Sequence, residues 1–110
     1  MKQCEIWNAN LNPTKESEQQ GFRPIVIISG NLLNQYLRVV IACPLTTKIK
    51  EYKGNVILKP TTQNGLSKQS EIMIFHIRSI SKERLVKKIG RITPEQFKEL
   101  KQGLDDILRY

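Results

Sequence analysis

The best-placed reactive side chain in this 110-residue sequence is Arg23, which stands with Pro24 between two unlike segments. Before it lies a polar stretch, Glu16-Ser17-Glu18-Gln19-Gln20-Gly21, and after it the β-branched run Ile25-Val26-Ile27-Ile28. Such a run predicts a strand buried on both faces. A polar loop that ends in an arginine at the start of a rigid strand is a place where a cation is held steady. No Walker loop, G-x-S-x-G or H-E-x-x-H signature is present. With one histidine and no cluster of carboxylates on a helix, metal-assisted hydrolysis is not favoured. Arginine, threonine, serine, glutamate and His76 at strand ends remain, a set suited to phosphate chemistry. Arginine stabilises charge on a pentacoordinate phosphorus, and hydroxyls orient its oxygens. RNA brings its own nucleophile, the 2′-hydroxyl, so a protein need only align it, move protons and absorb charge. Composition alone does not separate such cleavage from simple RNA binding.

The charge distribution points the same way. The net charge is +8, with residues 1–37 balanced, residues 38–91 carrying +9 and residues 92–110 carrying −1. A cationic excess confined to the middle of the chain favours a polyanionic partner. The length fits one domain with a modest core, for which association with a second copy would help. No run of about 18 apolar residues is present, so no transmembrane helix is expected. The start of the sequence lacks the apolar core of a signal peptide, which makes a cytoplasmic location the expectation. Cys4 and Cys43 read as reduced core thiols. Together with His76 they could supply three zinc ligands, but no C-x-x-C or H-x-x-x-H spacing supports a metal.

These side chains must be positioned by strands. The pattern predicts strands over 3–9, 24–29, 38–45 and 56–58, an alternating strand over 70–80, and a last basic strand over 86–92. Residues 31–36 form a short helical turn. Asn64-Gly65 is the strongest short hairpin signal in the chain. In the strand over 70–80, Ile72, Ile74, His76 and Arg78 share one face. Thr93-Pro94-Glu95-Gln96 starts a helix over about 94–109, with Thr93 as N-cap and Gln96 completing a capping box. Phe97, Leu100, Leu104, Ile107 and Leu108 form its apolar stripe, and Gly103 weakens it by ~1 kcal/mol relative to alanine. The whole is an α+β, mostly β fold: a small curled antiparallel barrel closed by a C-terminal helix.

Eight stretches in order then resemble one family. Glu5-Ile6-Trp7 and Asn12-Pro13-Thr14 lead into Ser17-Glu18-Gln19-Gln20-Gly21-Phe22-Arg23-Pro24. There follow Cys43-Pro44-Leu45-Thr46-Thr47, Gly54-Asn55-Val56, Gly65-Leu66-Ser67-Lys68-Gln69-Ser70, the run Ile77-Arg78-Ser79-Ile80-Ser81-Lys82-Glu83-Arg84-Leu85, and Lys88-Ile89-Gly90. Nearly the whole chain resembles the MazF/PemK toxin endoribonucleases. The resemblance implies an SH3-like barrel, a homodimer, and metal-independent cleavage of single-stranded RNA at short sequences without a cofactor. It also implies a labile antitoxin that lays a flexible segment across the RNA groove.

Carried over by position, the resemblance makes Arg23 and Thr46 catalytic. It places Ser17, Glu18 and Gln20 on the loop covering the site, with Glu18 a weaker candidate for proton acceptor or for orienting Arg23. Arg23 begins one predicted strand and Thr46 ends another, so antiparallel neighbours would bring them to one sheet end. Lys48, Lys50 and Lys53 flank Thr46 and are candidates for RNA phosphates, with His76 and Arg78 as further groove residues. The chain departs from the pattern at Phe75, where relatives often carry an acidic residue, and at Ser81, where they carry aspartate. A carboxylate base at Phe75 is therefore closed to it. His76 could line the groove or move a proton, as histidine side chains do at neutral pH, but a hydrogen-bonded, partly buried strand histidine is the preferred reading. Trp7 is read as core or dimer interface before a base-stacking platform. Two rivals are a non-catalytic RNA- or protein-binding module and a gyrase-poisoning toxin of the same fold.

Overall fold

A computed structural model describes residues 1–12 and 21–110. Among them, seven strands run in chain order: β1 (Glu5–Asn10), β2 (Phe22–Ile27), β3 (Val39–Thr46), β4 (Val56–Leu58), β5 (Ser70–Ile72), β6 (Arg78–Ser81) and β7 (Leu85–Arg91). A short helix α1 (Asn31–Tyr36) follows β2, and α2 (Pro94–Arg109) ends the chain. All described pairings are antiparallel, in the order β4-β5-β3-β2-β1-β7, with β6 also pairing with β3. The sheet curls into an open, SH3-like half-barrel closed by α2, which is the predicted architecture.

The β-branched runs behave as their composition requires. On β2, Ile25 and Ile27 pack into one apolar cluster with Ala9, Val40, Ala42, Ile80 and Leu85. Val26 points the other way, into a second cluster with Ile6, Cys43, Leu45, Ile72, Ile74 and Leu100. Both faces of the central strands are therefore covered, and period-2 alternation delivers residues to each. Burial pushes the Cys43 thiol up to about 12 and raises that of the half-buried Cys4. Trp7 packs beside the first cluster and donates its indole N–H to Glu5 Oε1 at 2.9 Å.

Helix α2 starts as predicted. Thr93 Oγ1 accepts from Gln96 N at 3.1 Å, and Gln96 Oε1 accepts from Thr93 N at 2.9 Å. Leu100 is fully buried, with Phe97 and Leu104 packed beside it. The stripe then leaves the core: Ile107 is 40% and Leu108 79% exposed. Gly103 is a contact residue, not merely a weak helix former. A Cβ there would lie 2.1 Å from the Gly54 carbonyl oxygen and 2.8 Å from Ile74 Cδ1. Its lack of a side chain lets α2 close on the 47–55 loop.

Two sequence expectations fail for identifiable reasons. The alternating segment over 70–80 is not one strand. A ladder continued from Leu45 opposite Ile72 would set Ala42 opposite Phe75, yet Ala42 faces Arg78. The difference is taken up by a 3-10 turn, Ile74–His76, which breaks the segment into β5 and β6. Ile72 and Ile74 stay buried while His76 and Arg78 are exposed, so the four do not share one environment. Asn64-Gly65 likewise is not a two-residue hairpin, because β4 and β5 are joined by the longer connection 59–69. Asn64 instead organises that connection from within. Its Oδ1 accepts from Thr61 N and Leu66 N at 3.0 Å each, and its Nδ2 donates to the Lys59 carbonyl at 2.8 Å. Gly65, at φ +68, would collide with Ile89 if it carried a Cβ.

Candidate active site

Strands β2 and β3 pair through Ile27 opposite Ala42, Val26 opposite Cys43 and Ile25 opposite Pro44. The ladder stops there. Neither Pro24 nor Pro44 has an N–H to donate, so the next rung cannot form. Continued by two residues, the same register sets Arg23 opposite Thr46. Between them the strand ends enclose a cavity of about 290 Å³, lined by Phe22, Arg23, Pro24, Leu45, Thr46, Thr47, Lys48 and Ser70. The strands that carry Arg23 and Thr46 thus meet at one sheet end, as expected from their positions in the sequence.

Arg23 is exposed, and among the described residues no carboxylate is paired with it. Its backbone is fixed by β1, where Ala9 stands opposite. The base of the polar loop is fixed as well. Leu11 N donates to the Gly21 carbonyl at 2.8 Å, and Arg84 Nη1 donates to the carbonyls of Asn10 and Asn12. A Cβ on Gly21 would overlap the Asn12 side chain, which would have to move to admit it. Ser17, Glu18 and Gln20 lie outside the described residues.

Thr46 Oγ1 accepts a hydrogen bond from Lys48 N at 3.1 Å. That contact leaves the hydroxyl proton available to donate into the cavity. Lys48 lines the same cavity. Lys53 does not: it lines a separate cavity of about 460 Å³ with Gly54, Gly103, Asp106, Ile107 and Tyr110. Lys50 is exposed on the intervening loop.

Arg23 also borders a second cavity, about 450 Å³, with Leu11, Pro44, Met73, His76 and Arg78. It therefore stands between two recesses, one rich in hydroxyls and one holding a further arginine and the histidine. His76 is exposed on the 3-10 turn, so the partly buried strand histidine read from the sequence is corrected. The strand breaks at that turn, which carries the ring out of the sheet.

Glu71 is the residue that sequence reasoning missed. It is fully buried on β5, directly opposite Thr46. Its Oε1 accepts from Lys50 N at 2.7 Å and Glu51 N at 3.0 Å, and its Oε2 from Tyr52 N at 3.0 Å and Asn55 Nδ2 at 2.8 Å. Burial alone would raise the carboxyl, but the hydrogen bonds from Asn55 and the three backbone amides outweigh it and hold the group below its ordinary range. The 47–55 loop is thus wrapped around an anion, and Glu51 is held at φ +54, a left-handed conformation few side chains adopt. The available signal was a lone glutamate in the apolar run Ser70-Glu71-Ile72-Met73-Ile74. A charge there needs internal partners.

Among the described residues no group of three His, Cys, Asp or Glu side chains is placed to hold a metal ion, and no helix is long and apolar enough to cross a membrane.

The family model described as PemK-like, MazF-like toxin of type II toxin–antitoxin system matches residues 2–108. The chain is 31% identical over 106 residues to the Endoribonuclease MazF of Staphylococcus saprophyticus, an alignment covering 96% of this chain and 88% of that protein. It is 34% identical over 110 residues to the Endoribonuclease MazF9 of Mycobacterium tuberculosis, covering 94% and 92% respectively. A solved mycobacterial endoribonuclease in complex with its cognate antitoxin superposes with a TM-score of 0.81 over 98% of this chain and 94% of that one, at 21% identity, a likeness of fold. The chain belongs to the PemK-like, MazF-like toxin family.

Proposed function

We propose that this protein is a toxin endoribonuclease that cleaves single-stranded RNA, messenger RNA included, at short sequences by using the RNA's own 2′-hydroxyl. The 2′-oxygen gives up its proton and bonds to the adjacent phosphorus. The bond from phosphorus to the 5′-oxygen breaks, and that oxygen takes a proton. The products are a 2′,3′-cyclic phosphate and a 5′-hydroxyl. No metal or cofactor is needed to create the nucleophile, because the substrate supplies it.

One observation carries this reading: Arg23 and Thr46 line a single cavity at the end of the β2–β3 ladder. Arg23 stabilises charge on the phosphorane and assists proton transfer to the leaving oxygen. Thr46 orients a phosphate or 2′-oxygen by donating its free hydroxyl proton. Glu18 remains the weaker candidate for taking the 2′-proton or orienting Arg23, with Ser17 and Gln20 on the same covering loop. Lys48, Lys50 and Arg78 supply phosphate contacts along the path, while Lys53 faces α2 and contributes less. The relatives named as endoribonucleases support the reaction class. The complex of a structural neighbour with its cognate antitoxin supports an antitoxin partner for this chain. A homodimer completes the proposal, since a domain of this size buries a limited fraction of its own surface.

Incubation of the protein with a long single-stranded RNA in EDTA tests the reaction. Fragments whose 5′ ends accept a phosphate from polynucleotide kinase without prior phosphatase treatment are expected. Loss of cutting on removal of metal, or 5′-phosphate ends, would contradict the mechanism.

A further inference from the structure

Tyr52 and Phe75 are aromatic rings left 49% and 46% exposed, although they come from separate segments of the chain. Their centroids lie 5.3 Å apart with the rings at 81°, edge to face. The Phe75 centroid is also 4.7 Å from that of His76, at 52°. Three exposed rings are therefore contiguous. An apolar surface of this kind needs a reason.

The rings are held by rigid structure. Tyr52 N donates to the buried Glu71 carboxylate. The 3-10 turn carrying Phe75 and His76 is closed by His76 N donating to the Met73 carbonyl at 3.0 Å, and it is rooted by buried Ile74. A surface fixed in this way loses little conformational entropy when a ligand settles on it.

Its surroundings define the ligand. His76 lines the 450 Å³ cavity with Arg23 and Arg78. Lys50, two residues before Tyr52, is exposed. Aromatic faces among cations suit a molecule that carries both flat rings and repeated negative charge. A single strand of nucleic acid has both, and every base presents a π-face. A purely apolar partner would gain nothing from the arginines.

We infer that Tyr52, Phe75 and His76 form a stacking platform for unpaired nucleobases, receiving a base from the strand whose phosphates pass Arg23 and Arg78. This deepens the nuclease reading of the Arg23–Thr46 cavity and rests on it. The platform requires a ring at position 75 and tolerates a hydroxyl on it.

The test uses the full chain and a short, fully 2′-O-methylated single-stranded RNA, which offers no 2′-hydroxyl for attack, with 2-aminopurine at one position in turn. Binding should quench 2-aminopurine at one or two positions. Phe75→Leu should weaken binding about tenfold, the range of base–aromatic stacking, and remove the quenching. Phe75→Tyr should restore both. Abasic residues at the quenched positions should weaken binding to the parent protein and leave Phe75→Leu unaffected. If Phe75→Leu binds and quenches as the parent does, the platform is overturned. A drop in sedimentation mass for Phe75→Leu, with affinity falling only in step with it, also overturns it and assigns the rings to contact between copies. A parent that neither binds this RNA nor cleaves its unmodified counterpart overturns the nuclease reading together with the platform. A parent that cleaves while Phe75→Leu binds normally overturns the platform alone.

Discussion

Thr46 on β3 stands directly opposite Glu71 on β5, and the carboxylate of Glu71 is turned inward to bind three consecutive backbone amides of the 47–55 loop. The chain leaving Thr46 is therefore anchored by the residue on Thr46's own rung. The anchor fixes the direction in which Lys48 and Tyr52 leave the sheet.

Replacing Glu71 with glutamine tests that anchor. The amide keeps the volume but sets its NH₂ against groups that are themselves donors. Expected is a stability loss of about 2–4 kcal/mol, from hydrogen bonds to a charged group and the donors left unpaired. Urea denaturation measures it. Hydrogen exchange should show the amides of residues 50–52 opening well before those of β2 and β3.

Acid should act on the same group. Glu71 and Glu5 are both held below the ordinary carboxyl range. For Glu5, burial acts to raise the value, but Trp7 Nε1, Lys2 N and Lys88 reverse it. A carboxyl whose folded value is depressed stabilises the fold above its unfolded value, ~4.3, and that contribution is lost as pH falls through the folded value. Stability should be flat from neutrality to about pH 5 and fall steeply below about pH 4. Glu71→Gln should flatten the acid limb, measured by thermal unfolding across pH.

Helix propensity and packing make opposite forecasts for Gly103→Ala. Propensity alone favours alanine by ~1 kcal/mol. The contact with the Gly54 carbonyl forbids the added methyl unless α2 moves away from the loop. The substitution should destabilise by about 1–3 kcal/mol, as overpacking does. Calorimetry decides it: a lowered Tm supports the close approach.

Parts of this fold were legible because their physics is local. The Ile25–Ile28 run and the run from Val39 to Leu45 carry their double-sided burial in their composition. The capping box of α2 is complete within four residues. The features that were misread depend on partners far along the chain. Alternation over 70–80 records which residues point inward, but not that β3 changes partner from β5 to β6 partway along. Glu71 binds groups some twenty residues earlier, and a glutamate in an apolar run does not name them. Gly103 looks like a flaw in a helix until Gly54 is seen against it. Within the candidate site, the meeting of Arg23 and Thr46 was readable because one begins a buried run and the other ends the next, and antiparallel neighbours bring such ends together. His76 was misplaced because the turn that exposes it is set by strand register.

The central claim is that Arg23 carries transition-state charge at the cavity it shares with Thr46. The most direct measurement is single-turnover cleavage of one single-stranded RNA by wild-type and Arg23→Ala protein, with sedimentation confirming equal oligomeric state. Arg23→Ala should lower the rate by about 10²–10³-fold or more, the loss expected when a preorganised donor to a developing charge is removed. Cleavage at the wild-type rate by a folded Arg23→Ala protein would contradict the account.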